Sequence, residues 1–164
     1  MSMSDNSAAH DGPLVSIGVP VFNESRFIRS ALGSLVNQTY RNIEILVSDN
    51  CSTDGTWEII QEFAARDPRI KTHRQPRNVG MMKNGETILQ MAKGEFIMGA
   101  SGNDYWCPSF VSACIAELLK DPSVVLAYPK AVYIDLEGNA TGPIPTNLDT
   151  RGMGVVSRVN VILW

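Results

Sequence analysis

This sequence holds too little of several things to support whole classes of function. It has three cysteines, Cys51, Cys107 and Cys114, and no C-x-x-C pair. That excludes a disulfide scaffold and a thiolate zinc site, and it reads as reduced thiols in a cytoplasmic protein. Its two histidines, His10 and His73, stand far apart in the chain, so neither a His-rich metal cluster nor a Ser–His–Asp set is available. No stretch approaches the roughly 20 apolar residues of a membrane span. Met1 to Asp11 is polar and lacks an apolar signal-peptide core. Charged residues make up only 19% of the chain, the formal net charge is -3, and no basic run occurs. This argues against nucleic-acid binding and gives little to an anionic membrane surface. A G-x-x-x-x-G-K-[ST] phosphate loop is missing. The stretch from Gly152 through Gly154 to Ser157 matches a dinucleotide fingerprint only in part, without a strand before it or a helix after it.

What is present is one domain's worth of alternating elements. With 164 residues and 44% hydrophobic content, the chain can bury a core without staples. Residues 1–13 read as a disordered leader and 14–164 as the domain. Leu14 to Val21 is a strand, with Pro20 expected to end its ladder because it has no N–H to give. A helix follows, Ser25 being its expected N-cap, with Phe27, Ile28, Ala31, Leu32, Leu35 and Val36 on one stripe. Ile43 to Val47 is a buried strand and Thr56 to Ala65 a helix with Trp57, Ile60, Phe63 and Ala64 inward. Ile70 to His73 is a short strand, leading to a polar, basic loop from Arg74 to Gly80. Met81 to Lys93 is the third helix, with Ile88, Leu89 and Ala92 inward and Gly94 as its C′ residue. Glu95 to Ala100 is another buried strand. Ser109 to Lys120 is the fourth helix, with Phe110, Val111, Cys114, Leu118 and Leu119 inward. Val124 to Tyr128 and Ala131 to Ile134 are expected strands, with a turn at Glu137 to Asn139 and loop at Gly142 to Pro145. Val155 to Trp164 is apolar but closes no element, so the domain reads as cut short at its carboxyl end. Repeated strand–helix alternation means a mostly parallel α/β sheet flanked by helices, with right-handed crossovers.

Ligands of such sheets bind beyond the carboxyl ends of the strands. Asp49 directly ends the strand from Ile43, while Ser52, Thr53 and Asp54 remain to cap the next helix; Asp49 is a ligand candidate and Asp54 a brace. Asn103 and Asp104 follow the strand from Glu95 and offer oxygens to a hard cation such as Mg²⁺, although Asp104 could equally cap the following helix. Arg77, Asn78 and Lys83 precede or open a helix, where phosphates bind, or else form a solvated loop. Phe22, Tyr105 and Trp106 flank these ends as base-stacking rings or core lids.

Taken together, several of these stretches resemble the family-2 glycosyltransferases of GT-A, Rossmann-like fold. They are Val19 to Glu24, Leu35 to Tyr40, Glu44 to Thr56, Asn78 to Gly80, and Lys93 to Ile97 leading to Asn103-Asp104-Tyr105-Trp106-Cys107-Pro108. The resemblance covers roughly Val15 to Pro129. It implies a transferase that moves a sugar from a nucleotide-diphosphate donor, UDP-sugar first among them, to a saccharide or other hydroxyl acceptor with inversion. Pro20, Phe22 and Glu24 would frame the nucleoside, Asp49 would accept from a base N–H, and Asn78 and Lys83 would lie by base and ribose. Where the family reads Asp, any residue, Asp, Asp, this chain reads Ser101-Gly102-Asn103-Asp104. Asn103 therefore falls on the usual metal-binding position, and Asp104 is the one carboxylate left to hold Mg²⁺ or Mn²⁺ with the diphosphate. No residue matches the family's general base, which is expected beyond Trp164; Asp135 and Asp149 are loop carboxylates. A non-catalytic GT-A-like module that binds a nucleotide or a partner is the alternative. Some family members attach to membranes through segments outside the matched residues.

Overall fold

A computed structural model describes residues 12–144. The expected leader up to residue 11, Asp149, the glycine motif at Gly152 and the apolar run from Val155 lie outside the described residues. Four parallel strands, β1 (Val15–Val21), β2 (Ile43–Asp49), β3 (Ile70–Arg74) and β4 (Phe96–Gly99), form one sheet in the order β3-β2-β1-β4. The helices α1 (Ile28–Val36), α2 (Thr56–Arg66) and α3 (Met81–Met91) connect them, and α4 (Phe110–Lys120) follows β4. Strand order reverses at β1, so a crevice opens between the carboxyl ends of β1 and β4, where α/β sheets bind ligands.

The two-residue period of the strands decides what faces what. Val15, Ile17, Val19 and Val21 of β1 share a core with Ile43, Ile45 and Val47 of β2, Ile28, Leu32 and Leu35 of α1, Ile60 of α2, and Val111 and Ile115 of α4. The intervening residues face α3. There a Cβ on Gly18 would stand 2.4 Å from Ile88 Cγ2, so only glycine lets α3 lie this close to β1. Ser48 of β2 donates to Asn84 Oδ1 at 2.7 Å, and Asn84 Nδ2 donates to the Ser48 carbonyl at 2.7 Å. This buried exchange fixes the register of α3 on the sheet.

Several expectations fail for identifiable reasons. Pro20 does not end the ladder: β1 pairs with β2 through Val21, while β4 pairs only as far as Gly18. Ser25 does not cap α1, which begins at Ile28 after Phe27 without a side-chain cap; the Ser25 N–H goes to Asp54. Gly94 is not a helix C′ residue, since α3 ends at Met91. It is a close-approach glycine, whose Cβ would fall 2.6 Å from the Ser16 nitrogen. Leu89 and Leu119 are exposed, and Ile97 is 52% exposed on β4, which is an edge strand among the described residues. Val124 to Tyr128 forms no strand. A separate antiparallel hairpin pairs β5 (Val132–Ile134) with β6 (Ala140–Pro143), so Gly142 and Pro143 lie in a strand, and the turn expected at Glu137 to Asn139 closes it. The three cysteines are free thiols.

Candidate nucleotide site at the strand ends

The carboxyl ends of β1, β2 and β3 are sewn together by polar side chains. Asn23, in the left-handed region at φ 55, follows β1. Its N–H donates to Ser52 Oγ at 2.8 Å, and its Oδ1 accepts the Thr53 N–H at 2.9 Å. The Glu24 N–H donates to Thr56 Oγ1 at 2.8 Å, and the Ser25 N–H to Asp54 Oδ2 at 3.0 Å. Asp54 Oδ1 also accepts from the N–H and hydroxyl of Thr56, at 3.1 and 2.6 Å. Asp54 is thus a brace between the two loops and the start of α2, as its position suggests. Partial burial alone would raise its carboxyl, but the hydrogen bonds from Thr56 and Ser25 outweigh it and hold the group well below the usual carboxylate range.

Asp49 closes β2 on the face that carries α2. Its carboxylate accepts the Ser52 N–H at 3.2 Å and pairs with Nε of Arg74 at 3.2 Å. The Asp49 side chain is 0% exposed, so the group expected to meet a base N–H lies behind the wall, engaged by protein donors. Arg74 closes β3 in register with Asp49. Its Nη2 donates to the Ser52 carbonyl at 2.8 Å, and its guanidinium lies 5.4 Å from the Trp57 ring centroid. The sequence alone places Arg74 at the start of a polar, basic loop. The signal that points to it is the pairing itself: two adjacent parallel strands end, at the same level, in opposite charges.

Asn78 braces the loop before α3. Its Oδ1 accepts from Asn50 Nδ2 at 3.0 Å and from the Gly80 N–H at 2.9 Å, and Asn50 Oδ1 accepts the Val79 N–H at 2.8 Å. Gly80, at φ 86, makes the turn into α3 that an L side chain resists. Lys83 is exposed on the first turn of α3. Pro20 is half-buried, and Phe22 offers a ring 43% exposed at the end of β1.

Across the crevice, Gly102 is buried where a Cβ would stand 2.8 Å from Val21 Cγ1 and 3.4 Å from Glu24 Cγ. The loop after β4 thereby touches the loop after β1. Ser101 Oγ donates to Asn103 Oδ1, and Asn103, Asp104 and Tyr105 are exposed. Burial raises the Glu24 carboxyl above its ordinary value, and the charges of Asp54 and then Asp104 raise it further. Hydrogen bonds hold the loop to the fold at its far end. Trp106 donates its N–H to Ser34 Oγ at 3.1 Å and packs on Phe110, ring centroids 4.9 Å apart, as a core lid. The wholly buried Gln38 donates to the Cys107 carbonyl at 2.8 Å and accepts the Val111 N–H at 3.0 Å.

Among the described residues, no group of three or more His, Cys, Asp or Glu could hold a metal by itself. The donors at this rim still fit a hard cation that brings its own partner. Asp104 and Asn103 offer exposed oxygens, and Mg²⁺ commonly uses one or two carboxylates plus substrate phosphates. A groove of about 250 Å³ lies elsewhere, along β4 and α4, lined by Phe96, Met98, Trp106, Ile115, Leu118 and Leu126. Its apolar walls offer nothing to a diphosphate.

Comparison with known proteins agrees with this architecture. Residues 16–151 match the model of Glycosyl transferase family 2. The chain is 35% identical over 127 residues to a chondroitin synthase of Escherichia coli, and 31% identical over 127 residues to a hyaluronan synthase of Pasteurella multocida. Each match covers 77% of this chain, but only 18% and 13% of those proteins. Among solved structures, S. aureus TarS 1-349 in complex with UDP is similar at TM-score 0.62 and 27% identity, covering 65% of this chain and 32% of that one. The mannosyltransferase PcManGT from Pyrobaculum calidifontis, in complex with GDP-Man and Mn²⁺, is similar at TM-score 0.63 and 26% identity, covering 68% and 34%. These neighbours are GT-A glycosyltransferases. The chain spans less than a fifth of the length of these two synthases and about a third of these two solved chains.

Proposed function

The chain belongs to glycosyl transferase family 2, and from that premise we propose that it forms the donor half of a site that transfers a sugar from a nucleoside diphosphate, UDP first, to an acceptor hydroxyl. The observation that carries the reading is convergence. The Pro20–Glu24 loop, the Asp49–Arg74 pair, the Asn78 loop and the Ser101–Asp104 loop all stand at the carboxyl ends of strands around the β1–β4 switch point. Phe22 offers a face for the nucleoside, beside Pro20 and Glu24. Asn78 holds the loop along which base and ribose lie, and Lys83 adds a positive charge at the start of α3. Asn103 and Asp104 would hold Mg²⁺ or Mn²⁺ with the diphosphate, and a bound ion would supply neutralisation of the leaving group's charge. In an inverting reaction the acceptor hydroxyl loses its proton to a carboxylate base. No described residue is assigned that part.

The test is calorimetric titration of the chain with UDP, with and without Mn²⁺, repeated for Phe22→Ala. Micromolar-range binding that weakens in the variant supports the donor site. A folded sample that binds no nucleoside diphosphate removes it. A second reading, a non-catalytic nucleotide- or partner-binding module, draws on the single carboxylate of the Ser101–Asp104 loop; UDP binding with no Mn²⁺ enhancement favours it.

A further inference from the structure

We infer that the outer face of α3 docks on a lipid bilayer bearing anionic headgroups, an inference that does not depend on the donor-site reading. α3 lies on β1 and β2, with Asn84 and Ile88 buried beneath it. The register that Ser48 and Asn84 fix turns Ile88 to the sheet and Leu89 away from it. Met81 is 76% exposed, Met82 75% and Leu89 63%. Met82 and Leu89 stand at i and i+7, so they share one stripe across two turns of the helix.

Charge decides what kind of partner fits this face. The net charge of -3 averages over an asymmetry: the stretch from Pro68 to Gly85 holds Arg69, Lys71, Arg74, Arg77 and Lys83 and no aspartate or glutamate. Arg69 and Arg74 are paired with Asp67 and Asp49. Arg77 before α3, Lys83 on its first turn and Lys93 past its end are exposed, and their side chains have no hydrogen-bond or ion-pair partner among the described residues. Lys71 adds a fourth cation on the same side of the sheet, since it pairs in register with Leu46, two residues before the Ser48 that meets α3. Glu86 is the one acid within α3.

Exposed apolar side chains flanked by unpaired cations match an anionic bilayer. The cations meet the headgroup charges while the apolar side chains enter the boundary of the acyl chains. Unbranched methionines suit that fluid surroundings, since they adapt their shape without a fixed pocket. At 11 residues α3 is about 16 Å long, far short of the roughly 30 Å of a hydrocarbon core. It would therefore lie in the plane of the interface, its inner side on the sheet and its cations at both ends keeping it level.

The experiment is co-sedimentation of the chain with vesicles of phosphatidylcholine alone and of phosphatidylcholine mixed with phosphatidylglycerol, at low and high salt. Wild type should bind the mixed vesicles, leave them at high salt, and ignore the neutral ones. The double variant Met82→Ser, Leu89→Ser should bind at least about tenfold more weakly, with melting temperature and UDP affinity near wild type because both side chains are exposed. Arg77→Gln and Lys93→Gln should each weaken binding about fivefold. Glu86→Gln, which removes the acid from the helix, should strengthen it by about the same factor. A folded chain that ignores the mixed vesicles overturns the inference, as does vesicle binding that the double variant leaves unchanged. Equal binding to neutral vesicles removes the part played by charge and overturns it too. Self-association of the chain that the double variant abolishes, without vesicle binding, overturns it by assigning the face to a second copy. The donor site is decided separately, by UDP titration, whichever of these is found.

Discussion

The two sides of the strand-end rim are built on different plans. Over β1, β2 and β3, loops far apart in sequence are cross-linked by Asn23, Asp49, Asn50, Ser52, Asp54, Thr56, Arg74 and Asn78, each supplying a hydrogen bond or ion pair to another loop or strand end. Over β4, among the described residues, the Ser101 side chain bonds within its own loop, to Asn103, and the anchors come later, at Trp106 and Cys107. The first side is finished before any ligand arrives, and a ligand there has little ordering entropy to overcome. The second side exposes Asn103 and Asp104 beside Glu24, whose carboxyl is raised first by burial and then by the Asp54 and Asp104 charges, an arrangement that an incoming cation and diphosphate would complete. On the proposed donor-site reading, the nucleoside would meet the cross-linked side and the diphosphate the loop after β4.

The largest break in this contrast should come from Asp49→Ala. It leaves the Ser52 N–H without its acceptor and Arg74 without its counter-ion. Stability should fall by about 2 kcal/mol, as for an orphaned buried partner, and UDP affinity should fall at least tenfold; chemical denaturation and calorimetry read the two effects. Asp54→Ala should cost less, at most about 1 kcal/mol for a lost brace on an exposed carboxylate, with little change in UDP affinity. Because hydrogen bonds lower the Asp54 carboxyl on folding, its contribution is present above the unfolded value of 3.8 and is lost as pH falls through the folded value. Melting curves of wild type and variant should therefore converge in strong acid. Asn103→Asp sharpens the comparison from the other side. Restoring a second carboxylate should increase the Mn²⁺ enhancement of UDP binding several-fold while leaving metal-free affinity and melting temperature near wild type. Glu24→Gln should have the smallest effect. Its carboxyl is raised in the fold, first by burial and then by Asp54 and Asp104, so its stabilising contribution is full below 4.5 and lost as pH rises through the folded value. The glutamine variant should melt slightly higher than wild type at neutral pH and the same in acid.

Much of this was legible in the sequence because periodicity and strand ends are local signals. The apolar run from Ile43 to Val47 and the stripe on α1 identify a sheet and its covering helix, and the family motifs name the loops that meet at the switch point. Asp54 could be read as a brace because turn formers crowd around it. What was illegible depends on pairing between distant residues. Arg74 looks like the first residue of a basic loop until β3 is set beside β2, and Asp49 looks accessible until Arg74 and Ser52 are placed upon it. Asn84 reads as an ordinary polar residue of the third helix and Gln38 as part of the stretch that ends the first. Their burial follows from Ser48 and from the Cys107 carbonyl, which lie 36 and 69 residues away in the chain. Gly94 sits where a helix would stop, yet the close backbone of Ser16 is what requires it. Ile97 is apolar in the middle of a strand, and nothing local reveals that the strand is an edge.

The contrast between a finished nucleoside side and an ion-dependent diphosphate side is tested most directly by titrating uridine and UDP into the chain, each with and without Mn²⁺. The account predicts that uridine binds with an affinity indifferent to Mn²⁺ and that UDP binding is strengthened by it. Uridine binding that requires Mn²⁺, or UDP binding that ignores the ion while uridine does not bind at all, would contradict it.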